Sequence, residues 1–322
     1  MPIRVFTPPA PTTPNDGASA LRVGLGVLMT GVLGCAGTGV EAGTPNPAAP
    51  PTLAPSAVSD AYPMVRIPAG TFTMGSPAAE EGRYDDEQQH EVTLTRAYLM
   101  GRTEVTQGLW RSVMGSNPSS QRGDDHPVTD LSWCDAVAFA NRLSAREGLP
   151  LAYQGVDQCA SSEGQSVAWD QSSAGYRLPT EAEWERAARG GAGGPYAGAA
   201  TEEEACAVGN IADRSAQAKF SGWTTFSCDD GHAGPAPVGR FRANGYGLHD
   251  LTGNVWEWCW DGYGAYGVAS TDPAGAPSAP YRVRRGGSWS DLPRDARVAI
   301  RGGDGPGFRH GGLGLRLVRT IP

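Results

Sequence analysis

The chain is 322 residues long, carries a formal net charge of −8, and holds 45 glycines and 26 prolines with only 8% aromatic residues. That length admits one or two domains with a sizeable core. The glycine and proline content speaks against a helical bundle, and the acidity against nucleic acid as a general partner.

At the N-terminus Arg22 precedes an apolar run over 23–34. It is too short to span a bilayer and suits the apolar region of a signal peptide. The run ends in Val32-Leu33-Gly34-Cys35, which resembles a bacterial lipoprotein cleavage box. The expectation is a signal peptide over 1–34, lipidation of Cys35, and a Pro/Ala/Thr-rich tether over 35–62, which has little to bury and stays extended. The product would be exported and lipid-anchored to the bacterial cell envelope, at the outer membrane or periplasmic face. An ordinary small-residue cleavage, or a start codon placed too early, stays open.

Residues 63–322 read as one domain. Met64–Ile67 and Thr71–Met74 are expected strands around Pro68-Ala69-Gly70, a hairpin-like punctuation, and 91–100 alternates like a further strand. Two helices are signed by capping boxes. Ser132 with Asp135 precedes Ala136, Val137, Phe139, Ala140 and Leu143, and Thr180 with Glu183 precedes Trp184, Ala187 and Ala188. From 190 to 322 no long helix is expected, so short strands, disulfides and bound ions must organise the stretch.

After Cys35 five cysteines remain. Spacing suggests Cys134–Cys159 and Cys206–Cys228, each worth about 3 kcal/mol by loop closure, with Cys259 left over and buried against tryptophans. Sequence alone does not fix the connectivity. Nine arginines lie within 281–319. They form either a basic surface for an anion or a set stacked on aromatics and paired with buried carboxylates; the second reading is preferred.

Several segments recur in order as a set: Arg66-Ile67-Pro68-Ala69-Gly70-Thr71-Phe72, Glu104-Val105-Thr106, His126-Pro127-Val128, Arg177-Leu178-Pro179-Thr180-Glu181, Gly245-Tyr246-Gly247-Leu248, Gly253-Asn254-Val255-Trp256-Glu257-Trp258 and Arg285-Gly286-Gly287-Ser288-Trp289. Together they resemble the sulfatase-modifying factor family, which includes the formylglycine-generating enzymes. The resemblance implies an α+β fold, an irregular variant of the C-type-lectin fold with little regular secondary structure. It also implies two structural calcium sites. The first would use Asn210 and Asp230 by side chain with the carbonyls of Ile211 and His232; the second would use Asp250 and Glu257 by side chain with the carbonyls of Gly253 and Val255. Hard oxygens from turn-rich loops suit calcium. At the first site a plain polar turn over Asp229-Asp230-Gly231 reads equally well, while at the second calcium is preferred to Asn254 as a mere turn residue.

The family's catalytic chemistry is expected to be missing. Formylglycine-generating enzymes bind copper(I) through two cysteines after the Gly-Gly-Ser-aromatic motif, and the matching positions here are Asp291 and Ala296. Copper(I) requires soft ligands, which a carboxylate and a methyl group are not. Trp256 and Ser288 match residues lining the family's cleft. The favoured reading is therefore a calcium-stabilised module binding a ligand or an envelope protein, with Asp291, Leu292, Arg294, Arg297, Arg301 and Asp304 facing the ligand. The alternatives are formylglycine generation by another route and other oxidase chemistry of the family. The His-x3-His-x-Glu pattern of the related sulfoxide synthases does not occur.

Overall fold

The computed structural model describes residues 62–160, 163–275 and 279–321. The expected signal peptide, Cys35 and nearly all of the tether lie outside these residues. Tyr62, placed at the end of the tether by sequence, is core: its hydroxyl donates to the Thr103 carbonyl (3.1 Å) and accepts from Leu317 N (3.0 Å).

In chain order the elements are β1 (Met64–Ile67), β2 (Gly70–Met74), β3 (His90–Leu94), β4 (Tyr98–Gly101), α1 (Gln107–Met114), α2 (Trp133–Arg146), β5 (Tyr153–Gln154), β6 (Ala168–Trp169), β7 (Tyr176–Arg177) and α3 (Glu181–Arg189). There follow α4 (Ala205–Val208), α5 (Arg214–Lys219), β8 (Trp256–Gly262), β9 (Ser270–Thr271), β10 (Arg282–Arg285), β11 (Arg301–Asp304), β12 (Leu313–Gly314) and β13 (Val318–Thr320). One sheet runs β1-β4-β13-β7, a second β11-β10-β8-β12, a third β2-β3-β9, and β5 pairs with β6. The first sheet pairs the C-terminal strand β13 with β4, beside β1 from the start of the domain.

Two strand expectations need correction. β1 and β2 do not form a hairpin: β1 pairs with β4 and β2 with β3. Pro68-Ala69-Gly70 passes the chain from one sheet to another, and Arg186 holds the crossing by donating to the carbonyls of Pro68 and Ala69 (2.9 Å each). Turn chemistry marks a change of direction without naming the strand's partner. The single strand expected over 91–100 is two, β3 and β4, in different sheets. Thr95 leaves the ladder to donate its N–H (2.8 Å) and hydroxyl (2.5 Å) to Asp272.

The capping boxes fold as read. Ser132 and Asp135 exchange bonds at the start of α2, and Thr180 and Glu183 at the start of α3, satisfying N–H groups that a helix terminus otherwise leaves bare. Helix α1 is an addition, capped by Thr106 and ended at Gly115, whose φ of 81° glycine adopts without strain. Past 190 only α4 and α5 occur among the described residues, of 4 and 6 residues. Both disulfides form, Cys134–Cys159 and Cys206–Cys228, and Cys259 is free and buried.

Every residue of β8 is buried, and the two-residue period of a strand divides it between two cores. Trp256, Trp258 and Trp260 join the cluster around α2, while Cys259 joins the cluster containing Trp184 of α3. Glu257 and Asp261 share the Cys259 side. Glu257 accepts from Trp184 Nε1 (2.7 Å), and Asp261 accepts from Glu181 N at the start of α3 (2.8 Å).

The arginines follow the preferred reading. Arg285, Arg297, Arg301 and Arg316 are buried and paired, respectively, with Glu185, with Glu80 and Glu87, with Glu181, and with Glu257. Arg284 binds Asp304 and stacks on Trp256, 4.0 Å from the ring centre.

Candidate functional site

The glycine turn after β10 sets the geometry where the family chemistry would lie. Gly286 and Gly287 both have left-handed φ, 99° and 75°. A Cβ on Gly287 would stand 2.7 Å from the Asp295 carbonyl and 2.8 Å from Ala296 Cα. Only glycine lets these two backbone segments approach so closely. Beyond the turn, Asp291 folds back. Its Oδ2 accepts from Ser288 N (2.9 Å), Ser288 Oγ (2.7 Å) and Trp256 Nε1 (2.8 Å). Burial holds this carboxyl above the usual aspartate range, and the bonds from Ser288, the charge of Arg284 and the bond from Trp256 draw it back.

Trp256, Ser288 and Asp291 are thus brought together, but as partners of one another. Ala296 is fully buried in a small cluster with Val208 and Ile211. The two positions that would carry copper are a carboxylate spent on three donors and a packed methyl group. This donor set does not fit copper(I). Cys206, Cys228 and Asp213 do lie close together, but a disulfide offers no thiolate.

The segment expected to face a ligand mostly does not. Asp291, Arg297 and Arg301 are buried, Asp304 is paired with Arg284, and Arg294 is the exposed residue of the set. The reason is the arginine–glutamate pairing, which draws side chains that look like a charged rim into the interior.

A different surface lies beside Ser288. Trp289, Trp223 and Phe220 stack, with ring centres 4.5 Å (Phe220–Trp223) and 5.6 Å (Trp223–Trp289) apart, and all three are half-buried. Trp289 Nε1 has no hydrogen-bond partner among the described residues. Sequence reading missed Phe220 and Trp223. They sit 66–69 positions before Trp289 in a stretch without periodicity, and only the turn that follows α5 brings them to it.

Of the first expected calcium set, Asp230 is bonded to the backbone of Ile211 and His232. Asp230 Oδ2 accepts from Ile211 N (2.9 Å) and Oδ1 from His232 N (2.8 Å), and burial pushes its carboxyl up to about 7. Asn210 donates its amide to Gly234 O and Asn254 Oδ1, which leaves its buried Oδ1 without a partner. A buried oxygen acceptor with nothing to accept from is what a hard cation would satisfy. At the second set, Asp250 Oδ1 is buried and unpartnered. Glu257 stands in other company. Both its oxygens accept from Arg316 (2.7–3.0 Å), and Oε2 also accepts from Trp184 Nε1. Gly253 and Val255 lie in the turn leading into β8, where a Cβ on Gly253 would meet the Asn210 carbonyl at 1.8 Å.

Away from this region, a cavity of about 340 Å³ opens beside the start of α3, lined by Thr95, Trp169, Arg177, Glu183 and Asp272 among others. Arg177 and Glu183 form a bidentate pair there (2.6 and 2.7 Å), so the charge in the cavity wall is already balanced.

A family model described as the sulfatase-modifying factor enzyme 1-like domain matches residues 50–321. The chain is 31% identical over 273 residues to the chaperone protein LppX of Paenibacillus barcinonensis, which covers 80% of this chain and 89% of that protein. It is 36% identical over 218 residues to the formylglycine-generating enzyme of Streptomyces coelicolor, 65% of this chain and 57% of the enzyme, so it spans little more than half of that relative's length. Among solved structures it is similar to Treponema denticola variable protein 1, with a TM-score of 0.69 and 32% identity over 80% of this chain and 95% of that one. With a family model matched across most of its length and the same fold in a solved relative, this chain belongs to the sulfatase-modifying factor enzyme 1-like domain family.

Proposed function

We propose that the protein is a binding member of its family, an exported and lipid-anchored domain that engages a ligand or envelope protein and does not generate formylglycine. The observation that carries this reading is Asp291, whose Oδ2 is bonded to Trp256 and Ser288 where a copper-binding thiolate would have to stand. Cys259, the free cysteine of the described residues, is buried in a separate core. Burial pushes its thiol well above the ordinary range, so the reactive thiolate is disfavoured. Similarity to a protein named as a chaperone, over 89% of that protein, supports partner binding above catalysis. The half-buried Phe220–Trp223–Trp289 stack is the contact surface, since stacked aromatic rings suit recognition.

Calcium is the structural ion of this reading. Asn210, Asp230 and the carbonyls of Ile211 and His232 would hold one ion, and Asp250 with the carbonyls of Gly253 and Val255 would contribute to a second. Bound there, calcium would tie the loops after α4 to the turn before β8. No helix among the described residues is long and apolar enough to cross a membrane, so attachment in this reading rests on lipidated Cys35. Copper(I) competition against a chromophoric chelator tests the non-oxidase reading. The expected result is no copper withdrawn by the disulfide-intact protein, and tight uptake of one copper per chain would overturn it.

A further inference from the structure

The cavity beside the start of α3 shares no lining residue with the Trp256–Ser288–Asp291 group or with the aromatic stack. It opens where three sheets meet, and its wall comes from the β3–β4 connection, β6, β7, β13 and the turn after β9. At about 340 Å³ it holds one small molecule, since small-molecule sites run from about 300 to 1,000 Å³. The floor is a buried ion pair. Arg177 and Glu183, 3% and 8% exposed, are fixed from both ends. Thr320 Oγ1 accepts from Arg177 Nε (3.2 Å), and the Tyr98 hydroxyl donates to the Glu183 carbonyl (2.5 Å).

The mouth carries a strained residue. Asp272 has a φ of 44° although it precedes Pro273, and a residue before proline is driven toward extended backbone with negative φ. Two bonds from Thr95, its N–H and its hydroxyl, hold the Asp272 carboxylate in place. Backbone held in so sparsely populated a region is costly, and it gathers at ligand clamps and active sites.

The lining selects by shape and hydrogen bonding more than by charge. Its two cations, Arg96 and Arg177, match its two anions, Glu183 and Asp272, so no net field favours an ion. Thr95, Gln171, Ser172 and Thr320 bring groups able both to donate and to accept. Leu94, Ala97, Trp169 and Pro273 bring apolar surface. A ring with hydroxyls on its edge and C–H groups on its faces suits both kinds of wall. We infer that this cavity binds a small, uncharged, hydroxyl-rich molecule the size of one sugar residue, on the Arg177–Glu183 floor and inside the Asp272-Pro273 mouth. The site is separate from the partner-binding surface proposed above and does not depend on it.

The test is saturation-transfer NMR on the full, disulfide-intact chain with glucose, N-acetylglucosamine and methyl glucoside, against glutamate and lysine as charged probes. Saturation is expected to reach the sugars and not the charged probes. Methyl glucoside matching glucose would assign the terminal unit of a glycan, and glucose without the glycoside a free sugar; both support the site. The signal should be lost in Gln171→Trp, where an exposed lining residue becomes a ring that blocks the cavity. Wild-type crystals soaked in N-acetylglucosamine give a readout independent of any variant, with the sugar expected in contact with Thr320 and Asp272. No saturation of any sugar, or stronger saturation of glutamate or lysine, would overturn the inference. So would a sugar signal that survives in folded Gln171→Trp, or a sugar bound only outside this cavity.

Discussion

Asp291 spends one oxygen on three donors, and its value lies in what would be left bare without it. Asp291→Ala strands the indole N–H of Trp256 and the backbone N–H of Ser288, both buried. At about 1–3 kcal/mol for each unsatisfied group, denaturant unfolding should show a loss of roughly 3 kcal/mol. Asp291→Asn keeps an acceptor oxygen and should lose less. Glu257 carries a larger stake, because Arg316 is wholly buried against it. Glu257→Ala leaves that charge alone and should cost about 3–5 kcal/mol, whereas replacing both residues with apolar ones of similar volume should cost much less. Asp261 supplies a pH signature. Burial, and then the neighbouring Glu181, push its carboxyl up to about 8 from 3.8. The folded state therefore holds a proton that the unfolded chain has released, and this contribution to stability is present in full at low pH. It is lost as pH rises from about 4 through about 8. Asp261→Asn should flatten stability against pH across that window, and an unchanged slope would contradict the assignment.

At the scale of elements, the caps and cross-links were readable because their signals are local. Ser132 with Asp135 and Thr180 with Glu183 lie three residues apart, and a capping box needs nothing beyond that. Ser132→Ala should cost about 1 kcal/mol, and removing Cys134–Cys159 by paired serine substitutions about 3 kcal/mol, both measured by chemical denaturation. Strand partners were not readable. β2 and β3 pair across an intervening loop, and β13 returns to β4 from the far end of the domain. No turn residue encodes such a choice. Helix α1 escaped notice because its eight residues begin Gln107-Gly108 and bury only Gln107, Leu109 and Trp110. The rim read onto 291–304 failed for a physical reason, since Arg297 and Arg301 have carboxylate partners 120–217 positions away, and spacing cannot show such a partner. The aromatic stack on Trp289 was hidden in the same way.

Across the whole molecule, the sheet containing β8 ties the two main cores together, and the loops between α4 and β8 depend on side-chain carboxylates for their order. Calcium bound at those carboxylates should raise the melting temperature, with about 2.7 kcal/mol of stabilisation for one site at a hundredfold excess over Kd. EDTA should reverse it, and a melting curve indifferent to both would contradict the structural-ion reading. The fold and family were legible because long motif segments such as Gly253–Trp258 and Arg285–Trp289 build the core strands and turns themselves. What the domain does was legible only as an expected loss, at Asp291 and Ala296. The most direct measurement is mass spectrometry of a Cys-x-Pro-x-Arg peptide incubated with oxygen and the disulfide-intact, copper-treated protein. The account predicts that the peptide cysteine stays unmodified. Its conversion to the formylglycine aldehyde at a rate above that of copper alone would contradict the account and require a copper site other than positions 291 and 296.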